Sequence, residues 1–184
     1  FIEGTQVVQF VVTSTGELTD FECVNSVCCD IDDEVIRVLK GTSGMWTPAT
    51  TKDGESVAMP QELAIAFCVS TNGSENIEEY FTYRATALFT KGNKTLFEKQ
   101  NPKKALKYYT KARTFLPYDQ ALLFASGAAK YELNDLAGAE EDWGRMKALT
   151  TNGKIENNME LTAEDFKNLE GYHDLIGIYA DDKQ

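Results

Sequence analysis

Over the first seventy residues apolar and polar positions alternate with a period of two, and beyond Glu75 the period lengthens to about 3.6. Val8, Phe10 and Val12 set the first alternating run, Thr5 to Thr13, and Ser14-Thr15-Gly16-Glu17 reads as the turn after it. Leu18 to Val27 is a second strand. Asp30 to Gly41 then carries Ile31, Val35, Val38 and Leu39 at helical spacing, with Asp30 as the expected cap and Asp32, Asp33 and Glu34 at the positive pole of the helix dipole. Lys40 and Gly41 mark its end. Trp46-Thr47-Pro48-Ala49 and a turn at Lys52-Asp53-Gly54 lead to a third extended run, Val57 to Val69. The order is β-β-α-β, an antiparallel sheet with one helix. If the first strand is central, the third strand runs parallel to the second and forms an edge.

The helical part shows an internal period. Ile77, Phe81, Ala85, Leu88 and Phe89 form an apolar stripe, and Ala105, Tyr109 and Ala112 are followed 34 residues on by Ala139, Trp143 and Met146. The helix before each set carries a glycine, Gly92 and Gly127, and Pro117 ends the first unit. Small and large residues alternating at this period on paired helices resemble tetratricopeptide repeats. Gly92 to Ala105 is one residue longer than Gly127 to Ala139. The tail from Leu161 to Tyr179, with Thr162 as cap and Phe166, Leu169, Ile176 and Tyr179 on one face, is expected to cover the second unit.

The front segment resembles the C-terminal domain of TonB-type energy transducers. The residues that carry the likeness are Gly4, the strand Val7-Val8-Gln9-Phe10-Val11-Val12, Gly16, Val24 and Ser26. They continue through Ile31-Asp32-Asp33-Glu34-Val35, Trp46-Thr47-Pro48-Ala49, Gly54, Val57, Ile65 and Phe67, about residues 3 to 69. The fold class expected is therefore α+β: a ββαβ domain over residues 1–72 and an all-α domain of tetratricopeptide-like helical hairpins over residues 73–184.

Composition narrows the function. The 184 residues carry 29 acids and 18 bases, net −11, which opposes nucleic acid as the main partner. Residues 1–72 hold 11 acids and 3 bases; residues 91–113 reverse the balance, with eight bases and one acid, Glu98. No run of 18 or more apolar residues spans a bilayer. The opening residue, Phe1, reads as a processed or truncated start, with a leader or a membrane anchor expected upstream. Cys23, Cys28, Cys29 and Cys68 lack Cys-x-x-Cys spacing, so neither a redox motif nor a zinc site is expected. A parallel third strand brings Cys68 near the helix start, which makes one disulfide to Cys28 or Cys29 feasible; structural thiols are the alternative.

Catalytic signals are weak. The acids from Asp30 to Glu34 lack the glycine and glutamate of a calcium loop, since Val35 and Gly41 stand there. Gly92-Asn93-Lys94-Thr95 lacks the upstream glycine and strand of a phosphate loop. His173 is the only histidine. A non-enzymatic reading follows, with no cofactor and no metal: an adaptor for protein partners, placed in the periplasm of a Gram-negative bacterium or anchored facing it. The alternative is a fragment of a TonB-type transducer, active in transport through outer-membrane receptors. Two binding surfaces are expected. The first is the sheet edge Leu63, Ala64, Ile65, Ala66 and Phe67, which in the family it resembles captures a receptor segment and which also offers a homodimer contact. The second is a groove on the leading helices, Phe89, Asn93, Phe124 and Tyr131, for an extended peptide.

Overall fold

The computed structural model describes residues 2–69, 76–154, 156 and 159. The chain divides into two compact units, Phe1–Ile77 and Glu78–Gln184. Strand β1 (Gly4–Val12) lies between β2 (Leu18–Asn25) and the last strand, and helix α1 (Cys29–Gly41) follows β2. A two-residue ribbon, β3 (Ala49–Thr50) with β4 (Ser56–Val57), precedes β5 (Met59–Phe67). The sheet order is β2-β1-β5 with both pairings antiparallel, so β2 and β5 run parallel to each other. Val57, expected at the start of the last strand, instead pairs with Ala49 in the ribbon.

Val8, Phe10 and Val12 of β1 meet Leu18, Val35 and Leu39 in the core of this unit. Trp46 sets its ring edge against Phe10, with centroids 5.3 Å apart, and its Nε1–H donates to Thr42 Oγ1 at 2.9 Å. The hairpin turn docks on the same loop: Gly44 N donates to Gly16 O at 2.9 Å, and a Cβ at Gly16 would lie 2.3 Å from Trp46 O. Only glycine fits there, at φ +84. The apolar stripe of α1 is Ile31, Val35, Ile36 and Leu39; Val38, expected in it, is 51% exposed.

Two local features depart from the simple alternation. From Gln9↔Glu22 to Val11↔Thr19, β1 advances two residues while β2 recedes three. This bulge falls at Asp20, φ 53. Without it the strict period would aim Asp20 and Glu22 at the core face set by Leu18; the extra residue flips the phase so that Phe21 stacks on Phe10 at 5.8 Å. The helix start also differs. Cys28, not Asp30, is the N-cap residue and offers no side-chain bond. Asp32 reaches back instead, accepting from the Ser26 hydroxyl and from Val27 N.

The second unit is helical: α2 (Ile77–Asn93), α3 (Pro102–Arg113), α4 (Gln120–Tyr131) and α5 (Leu136–Thr151). Ala105, Tyr109, Ala112, Ala139, Trp143 and Met146 are all buried. A Cβ at Gly92 would meet the Tyr109 ring at 2.4 Å, and one at Gly127 would meet Trp143 Nε1 at 2.1 Å. The same close approach thus recurs in both helix pairs. So do the turns: Gln100 and Asn134 have positive φ, 47° and 60°, and Asn101 and Asp135 then cap α3 and α5 by accepting from Lys104 N and Gly138 N. These positions are 34 apart, whereas Gly92 and Gly127 are 35 apart. The odd residue is taken up between Gly92 and Gln100, where α2 runs on into a π-wound turn, Lys94–Glu98, the form an α-helix takes when one residue is inserted. The expected covering helix, Leu161 to Tyr179, and His173 lie outside the described residues.

Candidate functional site

Strand β5 pairs with β1 over nine successive residues, Met59↔Val12 to Phe67↔Gly4, without a bulge. Leu63, Ile65 and Phe67 are half-buried against the core of Val8, Phe10 and Val35; Ala64 and Ala66 are exposed on the other face. The five residues expected at the edge therefore split by face. The inward three hold the strand in place, and the outward two leave room beside it. Among the described residues no strand pairs with the far side of β5.

The opposite edge, β2, is unlike it. Two register breaks, one of them the bulge at Asp20, interrupt its outer row of backbone groups, and the acids Asp20 and Glu22 add charge there, which is how edge strands resist pairing. On β5 the acid Glu62 is held sideways, its Oε2 accepting from Gln9 Nε2 at 2.8 Å, and Leu63 to Phe67 carries no charge. Pro60, opposite Val11, removes one donor near the start of the strand. The sheet thus has one blunted edge and one regular edge.

The four expected groove residues are not equivalent. Phe89 is 4% exposed, packed on the Tyr109 ring at 5.9 Å, so it is a core side chain and no peptide reaches it without parting α2 from α3. Asn93 is half-buried, and its Oδ1 accepts from Tyr109 Oη at 2.8 Å. Phe124 and Tyr131 are half-buried around Trp143; Tyr131 stacks on the indole at 6.1 Å, and Phe124 O accepts from Trp143 Nε1 at 3.4 Å. Of the four, only Phe124 and Tyr131 keep partly open rings.

Sequence reading passed over a buried charge. Asp142 on α5 lies 2.6 Å from Arg113 Nη1 at the end of α3 and 2.9 Å from Lys130 Nζ on α4, which ties three helices. The signal was present: Asp142 falls in the stripe Ala139, Trp143, Met146, where an acid needs a counter-charge. The cysteines are all free thiols, so the feasible Cys28 or Cys29 to Cys68 disulfide is not formed. Cys23 is exposed, yet local desolvation of its thiol, and then the charge of Asp32, push that thiol above its ordinary range. Among the described residues no three His, Cys, Asp or Glu side chains converge as a metal site, and no helix is long and apolar enough to cross a membrane.

No family model matches the chain. No curated protein and no solved structure matches it.

Proposed function

We propose that this chain is a non-enzymatic adaptor that captures an extended polypeptide by strand addition to β5. The observation that carries the reading is the asymmetry of the sheet: β2 is bulged and acidic along its edge, while β5 is regular over nine pairs and uncharged from Leu63 to Phe67. Main-chain hydrogen bonds to the open row supply affinity, and the flanking side chains supply choice. The helical unit, with its tetratricopeptide-like pairing of Gly92 with Tyr109 and of Gly127 with Trp143, fits a scaffold that presents Phe124 and Tyr131 to a second segment. The TonB-like order of residues 3 to 69 supports a place in the periplasm, with an outer-membrane receptor segment as one partner of the right form.

The test is substitution on the exposed face of the edge. Ala64→Lys with Ala66→Lys leaves Leu63, Ile65 and Phe67 in the core and adds the charge by which edge strands are blunted. Peptides selected from a random library against the native chain are expected to bind this variant at least roughly tenfold more weakly. Unchanged affinity, with the fold intact by circular dichroism, would place the binding elsewhere. A second copy pairing β5 with β5 would show as a concentration-dependent dimer that the same substitutions dissolve.

A further inference from the structure

Helix α3 carries a charge distribution that its own stability does not explain. Lys103, Lys104, Lys107 and Lys111 are exposed, while Ala105, Tyr109 and Ala112 face the core. Lys103 and Lys104 stand in the first turn, which contains no acid, against the positive pole of the helix dipole. Lys103 with Lys107, and Lys107 with Lys111, are like charges one helical turn apart, an arrangement that destabilises a helix. Among the described residues none of these four lysines makes an ion pair, whereas Lys94 pairs with Glu98, and Arg113 and Lys130 pair with Asp142. In a chain of net charge −11, a face held free of acids at a cost in helix stability asks for an external anion.

We infer that the exposed face of α3 docks an acidic polypeptide segment. Lys104, Lys107 and Lys111 run roughly 10 Å along the helix axis. Lys103, Lys107 and Lys111, each four residues apart, rise about 6 Å per step, close to the about 6.6 Å between alternate side chains of an extended strand, so successive carboxylates of such a segment meet these three ammonium groups in turn. In a chain of net charge −11 a long polyanion with dense phosphate meets more general repulsion than a short carboxylate segment confined to α3. The proposed site is on α3 of the second unit and the proposed edge is on β5 of the first, so the two are tested by different substitutions.

The experiment titrates the full chain into a fluorescein-labelled peptide of alternating glutamate and serine, read by anisotropy at low and at high salt. Binding is expected at low salt and is expected to weaken steeply as salt rises. Lys103→Glu with Lys104→Glu and Lys107→Glu is expected to lower affinity at least roughly tenfold. The same variant is expected to unfold at equal or higher denaturant, because it places acids at the helix N-terminus and opposite Lys111. That opposite movement separates a docking face from a structural one. Lys107→Gln with Lys111→Gln, which reverses no charge, should give an intermediate loss. Undiminished affinity in these variants, binding indifferent to salt, or tighter binding to oligothymidylate or to phosphatidylglycerol vesicles than to the glutamate peptide would overturn the inference.

Discussion

Single residues carry much of what distinguishes this chain. Asp142 faces two partly buried cations at once, so its removal takes the shared carboxylate from both Arg113 and Lys130. Asp142→Ala is expected to cost about 3 kcal/mol, measured by urea unfolding, because breaking a buried ion pair by removing one partner is strongly destabilising. Cys23 offers a second check. Its thiol is pushed above the ordinary cysteine range, first through local desolvation and then through Asp32. Alkylation by iodoacetamide is therefore expected to be slow at Cys23 near neutral pH and to accelerate as pH rises. Asp32→Asn should move that pH profile part of the way down, since the local desolvation of the thiol remains. Cys23 stands in the second strand, as its sequence expects; what sequence could not show for either residue is its partner, which comes from another element.

At the scale of elements, local period decided most of what could be read. The strands and the helix after them depend on residues within one or two turns of each other and stand close to where the local period puts them, while the glycine and aromatic positions were legible because they recur 34 or 35 residues apart. The bulge in β2 was missed because Leu18, Phe21 and Cys23 break phase by a single residue, which on paper resembles noise in an alternating run. Phe89 was misplaced because its burial depends on how closely α2 approaches α3, and that distance is set by Gly92 against Tyr109. The glycines make this testable. Gly127→Ala puts a methyl group into the Trp143 ring and should lose about 1–2 kcal/mol, overpacking outweighing the better helix propensity of alanine. Gly144 lies in α5 with nothing within 4 Å of a Cβ, so Gly144→Ala should gain up to about 1 kcal/mol in the same urea titration. Equal effects at the two sites would contradict the close packing of the second helix pair.

For the whole molecule, two units with different surfaces imply two kinds of contact: an uncharged sheet edge in the front unit and a basic helix face in the back one. The central claim is that the far side of β5 is an open row of backbone groups kept for a partner. Amide hydrogen exchange over residues 63–67 of the full chain tests this most directly, with and without a saturating library-selected peptide. The outward amides of alternate residues in Leu63–Phe67 are expected to exchange freely in the unliganded chain, while the amides bonded to β1 stay protected, and the peptide should slow the outward set selectively. Uniform protection of Leu63–Phe67 before any peptide is added, or a bound peptide that protects only amides of α2 to α5, would contradict it.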